Sequence, residues 1–193
     1  MPITQLHLGE FASVSAGFAP KDTSLDSDCA VLQLADFNTD GSLQSDAPRV
    51  RVALSGVPSH HLLQAGDVLL AAKGARLLAA CVEPHWLPAA AATTLLVLRP
   101  DPAVCQPEFL ALWLNQPTTR LALQSRMSAT SVATLNKRDL LDLPMPGHLP
   151  SLEGQRRLVE LNHLRLEEKR LALRLIMMRE TEFNLLFAAQ LSL

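Results

Sequence analysis

Apolar positions run in short alternating or continuous stretches through the first three quarters of the chain, then take up a helical period to its end. Residues 5–14 alternate loosely around Leu6, Leu8, Phe11 and Val14, which predicts a strand; Ser15-Ala16-Gly17 and Pro20-Lys21 then break it. Residues 29–34 read as a second strand, and Asp40-Gly41 supplies the turn that follows. Residues 49–54 alternate basic and apolar, so Arg49 and Arg51 should share one strand face. Gly66-Asp67 turns the chain into a short, fully apolar strand over 68–72, and Lys73-Gly74 turns it out again. Residues 77–82 return as a strand, 83–88 form a loop punctuated by Pro84 and Pro88, and 94–99 give another buried strand.

The helical signals come later. Pro107 at a first helical position, with Glu108 beside it, opens a helix through Trp113 and Leu114. Pro117 starts another over 118–127, and Asn136 can cap a third that begins at Lys137. After Pro150, which pushes its predecessor out of the α region, Ser151 can cap a last and much longer helix, with Glu153 in its first turn. Leu161, Leu164, Leu171, Leu175, Met178 and Leu185 fit a 3-4 seam interrupted by Glu168 and Glu182, and Val159, Leu166 and Leu173 form a second stripe. At roughly 35–40 residues, or ~55 Å, such a helix is too long to bury against the preceding domain and needs a partner helix. The expected class is α+β: short strands and small helices over residues 1–148, then one long coiled-coil helix over 149–193.

Composition narrows the function. With 193 residues, 48% of them hydrophobic, the chain can bury a substantial core. A formal net charge of −2 leaves no chain-wide basic field of the kind a nucleic-acid binder usually carries. Residues 1–150 hold 10 Lys/Arg against 13 Asp/Glu, so if DNA is bound, much of the phosphate attraction comes from a partner. Cys29, Cys81 and Cys105 lack CxxC spacing and fit buried thiols in a reducing cytoplasm. Cys81 and His85 make half a zinc site with no second half, so no metal is expected. No secretory leader pattern and no apolar run long enough to span a membrane stands in the sequence. Gly-x-Gly-x-x-Gly, phosphate-loop and Gly-x-Ser-x-Gly patterns are missing too, and no cofactor is expected on this chain.

Four runs, in order, carry a resemblance. They are the run from Leu62 to Gly74, with Gly66-Asp67 at its turn; Pro107-Glu108-Phe109-Leu110-Ala111-Leu112-Trp113-Leu114-Asn115; the small-residue stretch and helix start from Ser128 to Leu140; and Leu143-Pro144-Met145-Pro146 followed by Leu149-Pro150-Ser151-Leu152-Glu153-Gly154-Gln155. Together they resemble the specificity subunits of type I restriction–modification systems. There, a target recognition domain ends in such a proline run and a spacer helix begins. That family carries two domains and two helices in one chain; this one has room for one of each, so it resembles a half-length form.

The resemblance implies a non-catalytic DNA-recognition subunit that directs a separate DNA adenine methyltransferase, with S-adenosylmethionine held by that partner. It implies double-stranded DNA as ligand, and dimerisation through the helix or pairing with a second specificity chain. Candidate DNA contacts are Lys21, Lys73, Arg76, Ser128, Thr130, Ser131, Lys137 and Arg138. Plainer readings stand beside these: Lys21 as a solvated turn lysine, Lys73 to Arg76 as a polar hairpin tip, and, for the stretch from Ser128 to Leu140, Asn136 as a simple cap of the helix that begins at Lys137. His85 and Trp86 either stack on a base or anchor their loop on the core. The competing function is an adaptor of the same fold with weakened DNA reading, assembling a defence or regulatory complex; a hydrolase is a distant third.

Overall fold

A computed structural model describes residues 6–20, 27–38, 41–44, 48, 50–74, 76–128, 133–145 and 147–191. The chain divides into two compact units, Met1–Arg156 and Arg157–Leu193.

The first unit is built on two sheets. An antiparallel four-stranded sheet contains β1 (Ala12–Ala16), β4 (Val68–Ala71), β5 (Ala79–Cys81) and β7 (Leu95–Pro100), in the order β1-β7-β4-β5. A three-stranded sheet contains β2 (Cys29–Leu32), β3 (Arg51–Val52) and β6 (Ala89–Ala91), in the order β3-β2-β6, with β2 and β6 parallel. Strand β2 is apolar at every position because both of its faces are covered. Ala30 and Leu32 pack into a cluster with Leu69, Ala71, Leu95 and Val97 of the larger sheet, while Cys29 and Val31 pack with Val52, Val57 and Ala90. Strand β4 is buried throughout for the same reason, as its continuous apolar run predicts.

Gly17 is where β1 leaves the larger sheet. A Cβ there would lie 2.0 Å from the carbonyl oxygen of Ala92, so no other residue fits. Its N–H reaches the carbonyl of Leu95, and the next N–H, of Phe18, reaches that of Ala91, which lays the chain across both sheets.

Three short helices complete the unit: α1 (Pro107–Leu114), α2 (Pro117–Gln124) and α3 (Lys137–Leu141). Helix α1 lies on β4 and β5 and buries Phe109, Leu110, Trp113 and Leu114. The proline run before the long helix closes the domain: Leu8 donates to Leu143, and Met145 donates to Leu6.

Several local expectations need correction. The first strand starts at Ala12 rather than at residue 5, because Leu8–Glu10 forms a 3-10 turn closed by the Glu10 carboxylate on the His7 N–H. Over 49–54 only Arg51–Val52 is strand; Arg49 lies outside the described residues. The Arg51 side chain donates to the carbonyls of Ser27 and Asp28, so it ties its own sheet together. Ala89–Ala91, to which the sequence pattern assigns no element, is a strand despite the weak β-propensity of alanine, because its neighbours β2 and Leu62 supply the pairing.

The last helix, α4 (Leu152–Leu191), runs 40 residues. Ser151 caps it, its hydroxyl oxygen accepting the N–H of Gly154 at 3.2 Å.

Candidate nucleic-acid interface

Two of the candidate loops are one structure. Strand β4 runs out through Ala72 and Lys73, and the segment ending the small-residue stretch pairs with it. Leu135 donates to the carbonyl of Ala72 at 2.8 Å, Gly74 donates to Ala133 at 2.9 Å, and Lys73 stands opposite Thr134. Gly74 has a φ of 86°, a turn that residues with a Cβ rarely adopt, although a Cβ built there would meet no atom within 4 Å. Backbone hydrogen bonds therefore join chain segments some sixty residues apart.

The second loop is closed at its own base. Ser128 N–H donates to the carbonyl of Thr134 at 3.0 Å, and the Thr134 N–H donates to the Ser128 hydroxyl oxygen at 3.2 Å. Ser128, a candidate DNA contact, is thus part of the clasp. Below the clasp, Leu135 and Leu140 are buried and root the loop in the core. Between them Asn136 accepts the Asp139 N–H at 2.9 Å and so caps α3, as the sequence predicts. The cap places Lys137 and Arg138 in the first turn of α3, both exposed, as Lys73 and Arg76 are. Arg138 has Asp142 one turn away at 3.9 Å, an exposed pair of little strength. Lys21, Thr130 and Ser131 lie outside the described residues.

Elsewhere the plainer readings hold. Trp86 belongs to the inter-sheet core, with the exposed His85 ring tilted against it at 4.6 Å. Burial pushes the Cys81 and Cys105 thiols up to about 12, with Glu108 and Glu83 adding to the effect at Cys81, so neither is a nucleophile at neutral pH. No three His, Cys, Asp or Glu side chains among the described residues group as metal ligands. No helix among them is long and apolar enough to cross a membrane.

The other motif residues are structural ties. The Asp67 carboxylate is buried; it takes both arms of the Arg99 guanidinium at 2.7 and 2.8 Å and the Gln64 N–H at 2.8 Å. The Asn115 side chain pairs with both backbone groups of Ala79, donating at 2.7 Å and accepting at 3.0 Å. Gln155 is fully enclosed. The sequence marks these positions as polar, but nothing in it marks them as buried.

On α4 the six seam residues are all exposed, from Leu175 at 49% to Leu185 at 67%. A further set, unplaced by the heptad reading, stands exposed as well: Ile176, Phe183 and Phe187, with the two phenylalanines stacked at 6.0 Å. Apolar side chains therefore lie on more than one side of this helix, a surface of the kind that other chains cover.

No family profile and no curated protein matches the chain. Solved structures do. The HsdS subunit from Thermoanaerobacter tengcongensis is similar over 96% of this chain and 48% of its own, at 23% identity and a TM-score of 0.70. A chain from a study of complex assembly and conformational transition of the type I R-M system is similar over 89% of this chain and 40% of its own, at 24% identity and a TM-score of 0.66. The type I restriction–modification S subunit from M. genitalium is more distant, at 12% identity, a TM-score of 0.52, and coverage of 86% and 39%. The chain thus has the fold of these proteins, and it spans less than half the length of each.

Proposed function

We propose that this chain is the DNA-recognition subunit of a type I-like restriction–modification complex, carrying one recognition domain and one connecting helix. One observation carries the reading: a domain and a long helix together match nearly the whole chain to less than half of the HsdS subunit. The loop bases, joined by backbone hydrogen bonds, carry the exposed side chains of Lys73, Arg76, Lys137 and Arg138 nearby. Such cations position phosphates, and base reading falls to the loop they flank.

Chemistry belongs to a partner DNA adenine methyltransferase, which also holds S-adenosylmethionine. Two copies joined through α4 present two identical domains about a two-fold axis, so the target is two inverted copies of one half-site. Pairing with a different specificity chain would give an asymmetric target instead. Double-stranded DNA is the ligand, and the cytoplasm, where DNA and methyl donor meet, is the compartment.

The test is co-purification with a DNA adenine methyltransferase subunit from the same cells, followed by mapping of methylated adenines. A two-part motif that disappears when this chain is left out is the expected result. Methylation without a motif, or a motif indifferent to this chain, overturns the proposal. The net charge of −2 favours a second reading, an adaptor that assembles the complex without reading DNA. Salt separates the two: affinity of a DNA reader falls steeply between about 50 and 200 mM, whereas apolar helix pairing does not.

A further inference from the structure

Gln155 has no exposed surface, although it sits in the first turn of a helix that is otherwise largely exposed. Its Oε1 accepts the N–H of Gln106 at 2.7 Å, and its Nε2 donates to the carbonyls of Val104 and Pro150, both at 2.9 Å. All three partners, like Gln155 itself, lie in the unit Met1–Arg156, and Gln106 is the residue that leads into α1. Both donors and the acceptor of the amide are in use. Capping of α4 needs none of this, because the Ser151 hydroxyl already holds the Gly154 N–H and the Ser151 carbonyl takes the N–H of Gln155. What the side chain adds is a fastening of the first helical turn to the backbone of Val104 and Gln106, about fifty residues earlier, and to that of Pro150 just before the helix.

The fastening matters through leverage. A helix of 40 residues is ~60 Å long at ~1.5 Å per residue, so a swing of ~10° at its base moves the far end by ~10 Å. Along DNA that is about three base pairs at ~3.4 Å each. We infer that Gln155 is a positioning residue, which sets the separation tolerated between the two halves of the DNA target by holding the helix start on the recognition domain. The inference rests on the DNA-recognition reading above and adds to it the determinant of spacing.

The test uses the assembled methyltransferase complex and duplexes carrying the mapped half-sites at the native spacing, or with one or two base pairs added or removed. The readout is the ratio of methylation at native spacing to methylation at altered spacing. Gln155→Leu removes the three hydrogen bonds at nearly constant volume. It should keep the half-site sequence and lower the ratio about tenfold, equivalent to ~1.4 kcal/mol of lost restraint. Gln155→Glu, which keeps the acceptor for Gln106 but sets a carboxylate oxygen against the carbonyls of Val104 and Pro150, should lower the ratio at least as far. A folded variant whose ratio equals that of wild type, whatever its total activity, overturns the inference. Failure of both variants to fold also overturns it, by making Gln155 part of the folding core alone. A wild-type complex that methylates no two-part site instead removes the DNA-recognition reading, and this is seen before any variant is made.

Discussion

The domain and the helix use leucine in opposite ways. In the domain Leu69, Leu98 and Leu110 have no exposed surface, closed in by their own chain from both sheets and α1. In the helix Leu171 and Leu175 are about half exposed, and Leu164 and Leu185 more so. Burying a leucine is worth ~1.5–3 kcal/mol wherever it happens. One region has therefore taken that stabilisation within the chain, and the other leaves it to be taken against a second surface. Folding and assembly should be separable.

The largest effect is expected from charging the helix. Leu171→Glu with Leu175→Glu removes two apolar side chains and puts two carboxylates into the proposed seam, together costing several kcal/mol. A dissociation constant raised by more than about a thousandfold, ~4 kcal/mol, should appear in light scattering, with the unfolding transition of the domain unchanged. If the wild-type chain is already monomeric at tens of micromolar, alone and with the methyltransferase present, the two-fold arrangement is wrong.

The mirror experiment is Leu69→Ala, which hollows the inter-sheet core where Leu69 touches its neighbours. It should cost ~2–5 kcal/mol of folding stability, read by denaturant unfolding. Helix-mediated association, measured where the domain remains folded, should stay as in wild type. A shift of both quantities in either variant would mean that the two regions fold as one.

The same contrast explains what could be read from sequence. Continuous apolar runs such as 68–72 predict burial on both faces, and Pro107, Asn136 and Ser151 announce helix starts through their own chemistry. Local signals sufficed there. The pairing of 72–74 with 133–135 is made by backbone groups, which every residue carries, so no side chain advertises it. Asp67, Asn115 and Gln155 look like surface residues until their partners arrive from 32, 36 and 49 positions away. Serine and lysine in the loop suggested phosphate contacts, and Ser128 proved to be holding the loop shut. The helix was the reverse case: its period was plain, while its second apolar side, with Ile176, Phe183 and Phe187, was only partly seen.

The smallest effect on stability, and the sharpest on function, is expected on the stitched loops. Lys73 sits on one strand of the stitch and Lys137 starts the helix just beyond the other, and both are exposed. Neither side chain holds the stitch, which rests on the backbone of Ala72, Gly74, Ala133 and Leu135. Charge reversal at both, Lys73→Glu with Lys137→Glu, should therefore change folding stability by no more than ~0.5 kcal/mol. Oligomeric state should not move either, since neither residue belongs to α4. DNA affinity of the assembled complex should fall, and the dependence of its logarithm on log salt should flatten by ~0.9 for each phosphate no longer neutralised, about two units in all. Measured by titration at several salt concentrations, an unchanged slope with unchanged affinity would place the DNA elsewhere on the domain. A loss of folding stability beyond ~1 kcal/mol would show instead that these cations serve the fold, on the side of the comparison where the leucines are buried.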